Sequence, residues 1–82
     1  MSRQRNLIKS MPENCSAITP HDTNLLAADG AVYVGGDGDV CIYDIHGNTV
    51  TFKGMSAGDI LPVKCRRVMD TNTDATNLIL IY

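Results

Sequence analysis

The sequence predicts an all-β domain: a small sandwich or jelly-roll-like barrel of about six or seven short strands behind an extended N-terminal arm. Three observations predict it. From residue 31 onward, short runs rich in Val, Ile, Thr and Tyr are separated by Gly, Asn and Asp clusters, the punctuation of turns between strands. Thr49-Val50-Thr51-Phe52 alternates strictly and is preceded by His46-Gly47-Asn48, the mark of a hairpin. The chain closes on Leu78-Ile79-Leu80-Ile81-Tyr82, a short strand apolar on both faces.

Residues 1–14 read as the arm and residues 15–82 as the domain. Arg3, Arg5 and Lys9 surround one apolar pair, Leu7 and Ile8. Pro12 ends any helix there. Such a segment is ordered only when a partner holds it, which makes Leu7 and Ile8 candidate contact residues. After the apolar step Ala17-Ile18, Pro20 holds Thr19 extended. Asp22 or Thr23 is placed to cap a single helical or 3₁₀ turn over 24–27, and Asp29-Gly30 turns the chain.

The strands follow. Residues 31–34 form the first long-range strand, and Gly35-Gly36-Asp37-Gly38 a tight loop. Residues 39–45 and 49–52 pair as the hairpin, with Val50 and Phe52 facing in. Gly54 to Gly58 turns again. The longest strand covers 60–69, where Leu61, Val63 and Cys65 share a face that Val68 misses by one position. An extra residue near Arg66-Arg67 restores the phase, so a bulge is expected there. Asp70 to Asp74 turns the chain into the last strand, 78–81. The expected core is Val32, Val34, Val50, Phe52, Leu61, Val63 and Cys65.

Size and composition narrow the function. A domain of 82 residues is marginal alone and usually gains support from disulfides, metal or partner subunits. Cys15, Cys41 and Cys65 are odd in number and far apart, which fits reduced, partly buried thiols and excludes a zinc spacing. Oligomerisation is the remaining support. A net charge of −2, from 7 basic and 9 acidic residues, offers no general attraction to nucleic acid or anionic membrane. No apolar run approaches the ~20 residues of a membrane helix, and the N-terminus lacks the apolar core of a secretory leader. Without Trp and with one Phe, stacking platforms depend on Tyr33, Tyr43 and Tyr82.

The reactive constellations are weak. Gly35-Gly36-Asp37-Gly38-Asp39 approaches a calcium nonapeptide but places its Asp one position early and occurs once. Asp29, Asp37, Asp39 and Asp44 could supply oxygens, yet the pattern reads as a loop, so no metal is expected. The loop is not a phosphate cradle either. His21 and His46 lie beside turns, and Ser10, Ser16 and Ser56 sit in no nucleophile elbow. Cys65 shares an apolar face and reads as core rather than as half of a thiol dyad. No catalytic residue and no cofactor site is therefore expected. Lys64, Arg66 and Arg67 form a small basic patch suited to a neighbour's carboxylates or to solvent. A strand apolar on both faces needs cover on both, so Leu78, Ile79, Leu80, Ile81 and Tyr82, with Arg66 and Arg67, are the candidate interface residues of the domain.

Several segments together resemble a known family. They are Pro20-x-Asp22-Thr23 before Leu25-Leu26, Val32-Tyr33-Val34-Gly35-Gly36-x-Gly38-Asp39-Val40 and Gly47-x-Thr49-Val50-Thr51-Phe52. Ala57-Gly58-x-Ile60-Leu61-Pro62-Val63, Arg67-Val68 and Asp74-Ala75-Thr76-Asn77 complete the set. This order resembles the spike base proteins of tailed phages and gene transfer agents over residues ~17–82; the arm lies outside it. The resemblance implies a non-enzymatic virion protein, assembled in the bacterial cytoplasm. It also implies a homo-oligomeric ring at the capsid vertices, a pentamer first and a trimer second. Its partners would be copies of itself, the major capsid protein and a spike or fibre protein. The chain departs from commoner members in its Cys and Met content and in Asp37 and His46, which puts loop-specific contacts in doubt. The competing readings are a capsid decoration (cement) protein or small tail adaptor, then a carbohydrate-binding β-module, and last a small hydrolase.

Overall fold

The computed structural model describes residues 12–82. Six strands appear in chain order: β1 (Cys15–Ala17), β2 (Gly30–Tyr33), β3 (Gly38–Asp44), β4 (Thr49–Met55), β5 (Ile60–Val68) and β6 (Ile79–Ile81). They form one open antiparallel sheet in the order β1-β6-β2-β5-β3-β4, consistent with a small β-sandwich. The all-β expectation is met, with six strands among the described residues.

The hairpin is the most local element. Val40 faces Phe52, Ile42 faces Val50, and Tyr43 faces Thr49. Asp44 builds its turn: the carboxylate accepts the N–H groups of His46 at 2.8 Å and Asn48 at 2.9 Å, and the Asn48 side-chain amide at 3.0 Å. Gly47 supplies the positive φ of 87° that a side chain would resist.

β5 joins the two halves of the sheet. Its first part pairs with β2, with Val32 opposite Leu61, and its last part pairs with β3, with Ile42 opposite Val68. Between Tyr43↔Arg67 and Asp44↔Cys65, one step on β3 spans two on β5. Arg66 is the extra residue, so the bulge lies where the hydrophobic phase requires it. Leu61, Cys65 and Val68 are all buried as a result.

β6 lies between β1 and β2. Leu80 faces Ser16 on one side and Val32 on the other, which ties the two ends of the described chain together. Pairing continues past β1: Glu13 and Asn14 donate their N–H groups to the Tyr82 carbonyl at 3.0 and 2.7 Å, and Tyr82 returns one to Asn14 at 2.9 Å. Among the described residues, sheet bonding therefore begins at Glu13.

The core gathers Val32, Val34, Val40, Ile42, Leu61, Cys65, Val68, Ala75 and Leu78. Four of the expected core residues (Val32, Val34, Leu61, Cys65) are buried, and Phe52 and Val63 pack partly against them. Val50 is a correction. It is 46% exposed because β4 is the edge strand, and the cover over its partner Ile42 does not extend that far. The expected helical turn at 24–27 is the second correction. The His21 ring Nδ1 accepts the N–H groups of Thr23 and Asn24, each at 3.1 Å, which caps a bend and not a helix. The segment then lies along the free side of β5, with His21 N–H donating to Val68 O and Leu26 N–H to Arg66 O, both at 2.9 Å. A helix there would leave those β5 carbonyls unpaired.

Candidate interaction surface

The loop carboxylates act as backbone anchors. Asp37 accepts the Ala57 N–H at 2.7 Å, Asp39 the Gly54 N–H at 2.9 Å, and Asp59 the Ser56 N–H at 2.9 Å. Asp74 accepts the Asp39 N–H at 2.5 Å. Asp22 accepts the N–H and hydroxyl of Thr71 at 2.8 and 2.7 Å. These bonds hold the Asp22 carboxyl below the usual carboxylate range, Thr71 contributing most, and those from Asn48 do the same for Asp44. Among the described residues, no three His, Cys, Asp or Glu side chains converge as metal ligands would.

The glycines of 35–38 serve close approach. Gly36 bridges Thr76, and a Cβ on Gly35 would collide with the Asn77 carbonyl oxygen. Gly38 sits at a φ of 150° with the Ala75 nitrogen where its Cβ would be. Thus the Gly35-Gly36-x-Gly38 and Asp74-Ala75-Thr76-Asn77 segments are two sides of one packed loop pair. Asn72 and Asn77 supply its positive φ values of 67° and 53°. The two segments stand far apart in the chain, and the sequence does not announce their contact.

The candidate chemical residues are dispersed. His21 caps its own loop, and His46 sits in the hairpin turn. Ser16 lies on the row of Leu80 and Val32, and Ser56 is tied to Asp59. Burial, with the Asp44 carboxylate adding to it, pushes the Cys65 thiol up to about 11 and so suppresses the reactive thiolate. Cys41 is also buried; Cys15 is exposed.

The expected interface residues divide. Leu7 and Ile8 lie outside the described residues. Leu78, just before β6, and Leu80, within it, are 3% and 1% exposed; placing them at an interface is corrected, because both lie in this chain's own interior, Leu78 in the core cluster. Ile79, Ile81 and Tyr82 are half-buried. Arg66 pairs with Asp29 at 3.4 Å on the surface, an interaction of at most ~1 kcal/mol. Arg67 stacks on its cross-strand neighbour Tyr43, 4.7 Å from the ring centre, and donates to the Asp22 carbonyl at 3.1 Å. Both arginines brace the bulge of β5.

One surface has no internal purpose. Directly paired residues share a face, and two such rows lie opposite the interior. Cys15, Ile81 and Ala31 make one; Ala17, Ile79, Tyr33 and Ile60 make the other. Apart from the Tyr33 hydroxyl, both rows are apolar, and Ile60 is 53% exposed. A groove of ≈480 Å³ opens at the Ile81–Ala31 end of this face, walled also by Pro12, Glu13, Pro62, Lys64 and Tyr82. A second hollow, between Asp39, Lys53 and Asp74, is polar.

No family model matches the chain, and none of the curated proteins does. Among solved structures it is similar to a chain in the capsid of a native gene transfer agent particle, computed with C5 symmetry. The two are 36% identical and superpose with a TM-score of 0.79, over 92% of this chain and 88% of that one.

Proposed function

We propose a function from one premise: the chain belongs to the family of that gene transfer agent capsid chain, a family of virion proteins of phages and gene transfer agents. On this reading it is a structural component of the particle. Its finer role is an oligomeric base at the capsid vertices that anchors a head spike or fibre. The observation that carries the reading is 36% identity over nearly the whole chain of a capsid component.

The surfaces support it. The loop carboxylates and glycines are consumed in building the domain, while the apolar rows of β1, β6 and β2 are left for a neighbour. C5 symmetry in the similar particle suits a pentamer, in which each subunit offers two different patches to its neighbours. The inner side of such a ring faces the major capsid protein and the outer side a spike or fibre. The role is one of surfaces, so the protein is not an enzyme.

The test is co-purification. Particles from a producing strain carrying an affinity-tagged copy are banded on a density gradient and then washed in low and high salt. The tagged chain is expected to band with the particles, and particles from a deletion strain are expected to lack the head spike. A tagged chain that stays at the top of the gradient overturns the reading, and spiked particles in the deletion strain overturn the base role.

A further inference from the structure

We propose that the apolar outer face of β1, β6 and β2 is covered by residues 5–9 of a neighbouring copy, with Leu7 and Ile8 seated on the Cys15–Ile81–Ala31 row. The inference rests on the proposed ring and names the segment that joins its members.

The receptor side is on the page. Ile79 and Ile81 point away from the interior, between Cys15 and Ala17 on β1 and Ala31 and Tyr33 on β2. Water is a poor cover for two adjacent apolar rows, and an uncovered face of this kind invites aggregation. The groove that takes in Ile81 and Ala31 of the first row is also lined by Pro12 and Glu13, which is where the described chain begins.

The occupant follows from the chain beyond that point. Eleven residues precede Pro12, and their one apolar pair is Leu7-Ile8. Arg3, Arg5 and Lys9 flank it with no acidic residue among the eleven; at the groove Glu13 is balanced by Lys64, and Asp29 is paired with Arg66, so the apolar pair and not charge is what fits the face. Leu7 and Ile8 stand five and four residues before Pro12, so at ~3.3 Å per extended residue they reach about 13–17 Å beyond it, enough to meet a subunit packed against that end of the groove. A residue that precedes proline is biased toward extended backbone, and Met11 is that residue. That bias carries the chain away from its own groove, whose wall Pro12 itself forms, and toward a neighbour's. Each subunit then gives an arm on one side and receives one on the other, the head-to-tail arrangement that closes into a ring.

Cys15 makes the arrangement testable, because it is exposed on the receiving row while Cys41 and Cys65 are buried. The full-length Leu7→Cys variant, and Ile8→Cys as a second position, are oxidised mildly and run on non-reducing gels beside the wild type and a Leu7→Cys/Cys15→Ser control. Light scattering reports their oligomeric state. The expected result is a ladder of linked chains that needs both the introduced thiol and Cys15. A fast-migrating monomer with an internal disulfide overturns the proposal, since the arm then folds on its own face. Oligomers that form without any link between position 7 or 8 and Cys15 also overturn it, because another surface then covers the rows. This is separable from the functional reading: a ladder in a protein that never bands with particles leaves the arm exchange standing and removes the virion role. Particles that carry the protein without the cross-link do the reverse.

Discussion

Ile42 and Val50 face one another across the β3–β4 hairpin and lie on the same face of the sheet. Ile42 is 2% exposed and belongs to the core cluster, whereas Val50 is 46% exposed. Truncating each to Ala separates the register of the hairpin from its burial. Ile42→Ala removes a buried side chain and leaves a cavity, at a cost of about 2–5 kcal/mol. A domain of this length has a total stability of roughly 4–12 kcal/mol, so Ile42→Ala consumes a large share of it. Val50→Ala removes a half-solvated side chain and is expected to cost less than about 1 kcal/mol. Urea unfolding at one fixed protomer concentration gives both values, since assembly itself adds stability. Ile42→Val, expected at about 0.5–1.5 kcal/mol, serves if the Ala variant does not fold. Equal costs for Ile42→Ala and Val50→Ala, or a greater cost at Val50, would refute the placement of β4 as an uncovered edge.

Three further outcomes follow from the loops and termini. Gly35→Ala forces its new Cβ against the Asn77 carbonyl and is expected to cost more in thermal unfolding than Gly54→Ala. At Gly54 nothing lies within 4 Å and only the positive φ of 70° is strained, which costs roughly 1–2 kcal/mol. Asp22 and Asp44 titrate lower in the folded chain than in the unfolded one. Their stabilisation is therefore complete above the ordinary carboxylate range near pH ~4 and lost as pH falls through their depressed values; the Asp22→Asn/Asp44→Asn variant should flatten that acid limb of the melting profile. With the thiol of Cys65 at about 11 and Cys41 buried, a maleimide at neutral pH should label Cys15 alone in the dispersed native protein and all three after unfolding, as read by mass spectrometry.

The legible parts of the fold were those written locally. Alternation in 49–52 with a Gly-Asn turn gave the hairpin. The lapse of phase between Cys65 and Val68 required an inserted residue, and Arg66 is that residue. The parts that failed depend on partners distant in sequence. Nothing near Leu78 or Leu80 says that β6 inserts between β1 and β2, so their apolarity reads as surface awaiting a partner when half of it is interior. Nothing near Val50 says that β4 ends the sheet. The bend at 21–26 was missed because a histidine ring, not Asp22 or Thr23, takes the capping role, while Asp22 reaches across to Thr71. The apolar face of the candidate surface was legible only in outline: the two-faced final strand pointed to it, but Cys15, Ala31, Tyr33 and Ile60 join it through pairings that the sequence does not display.

The central claim is that this chain is a vertex component of the particle, and its position there tests that claim most directly. Particles carrying a C-terminal tag on this chain, labelled with a tag-specific antibody fragment and imaged by electron microscopy with five-fold averaging, are expected to show density at the vertices, beneath the head spikes. Label spread over the capsid faces would mark a cement protein, label confined to the tail an adaptor, and unlabelled particles beside free protein would contradict the virion role altogether.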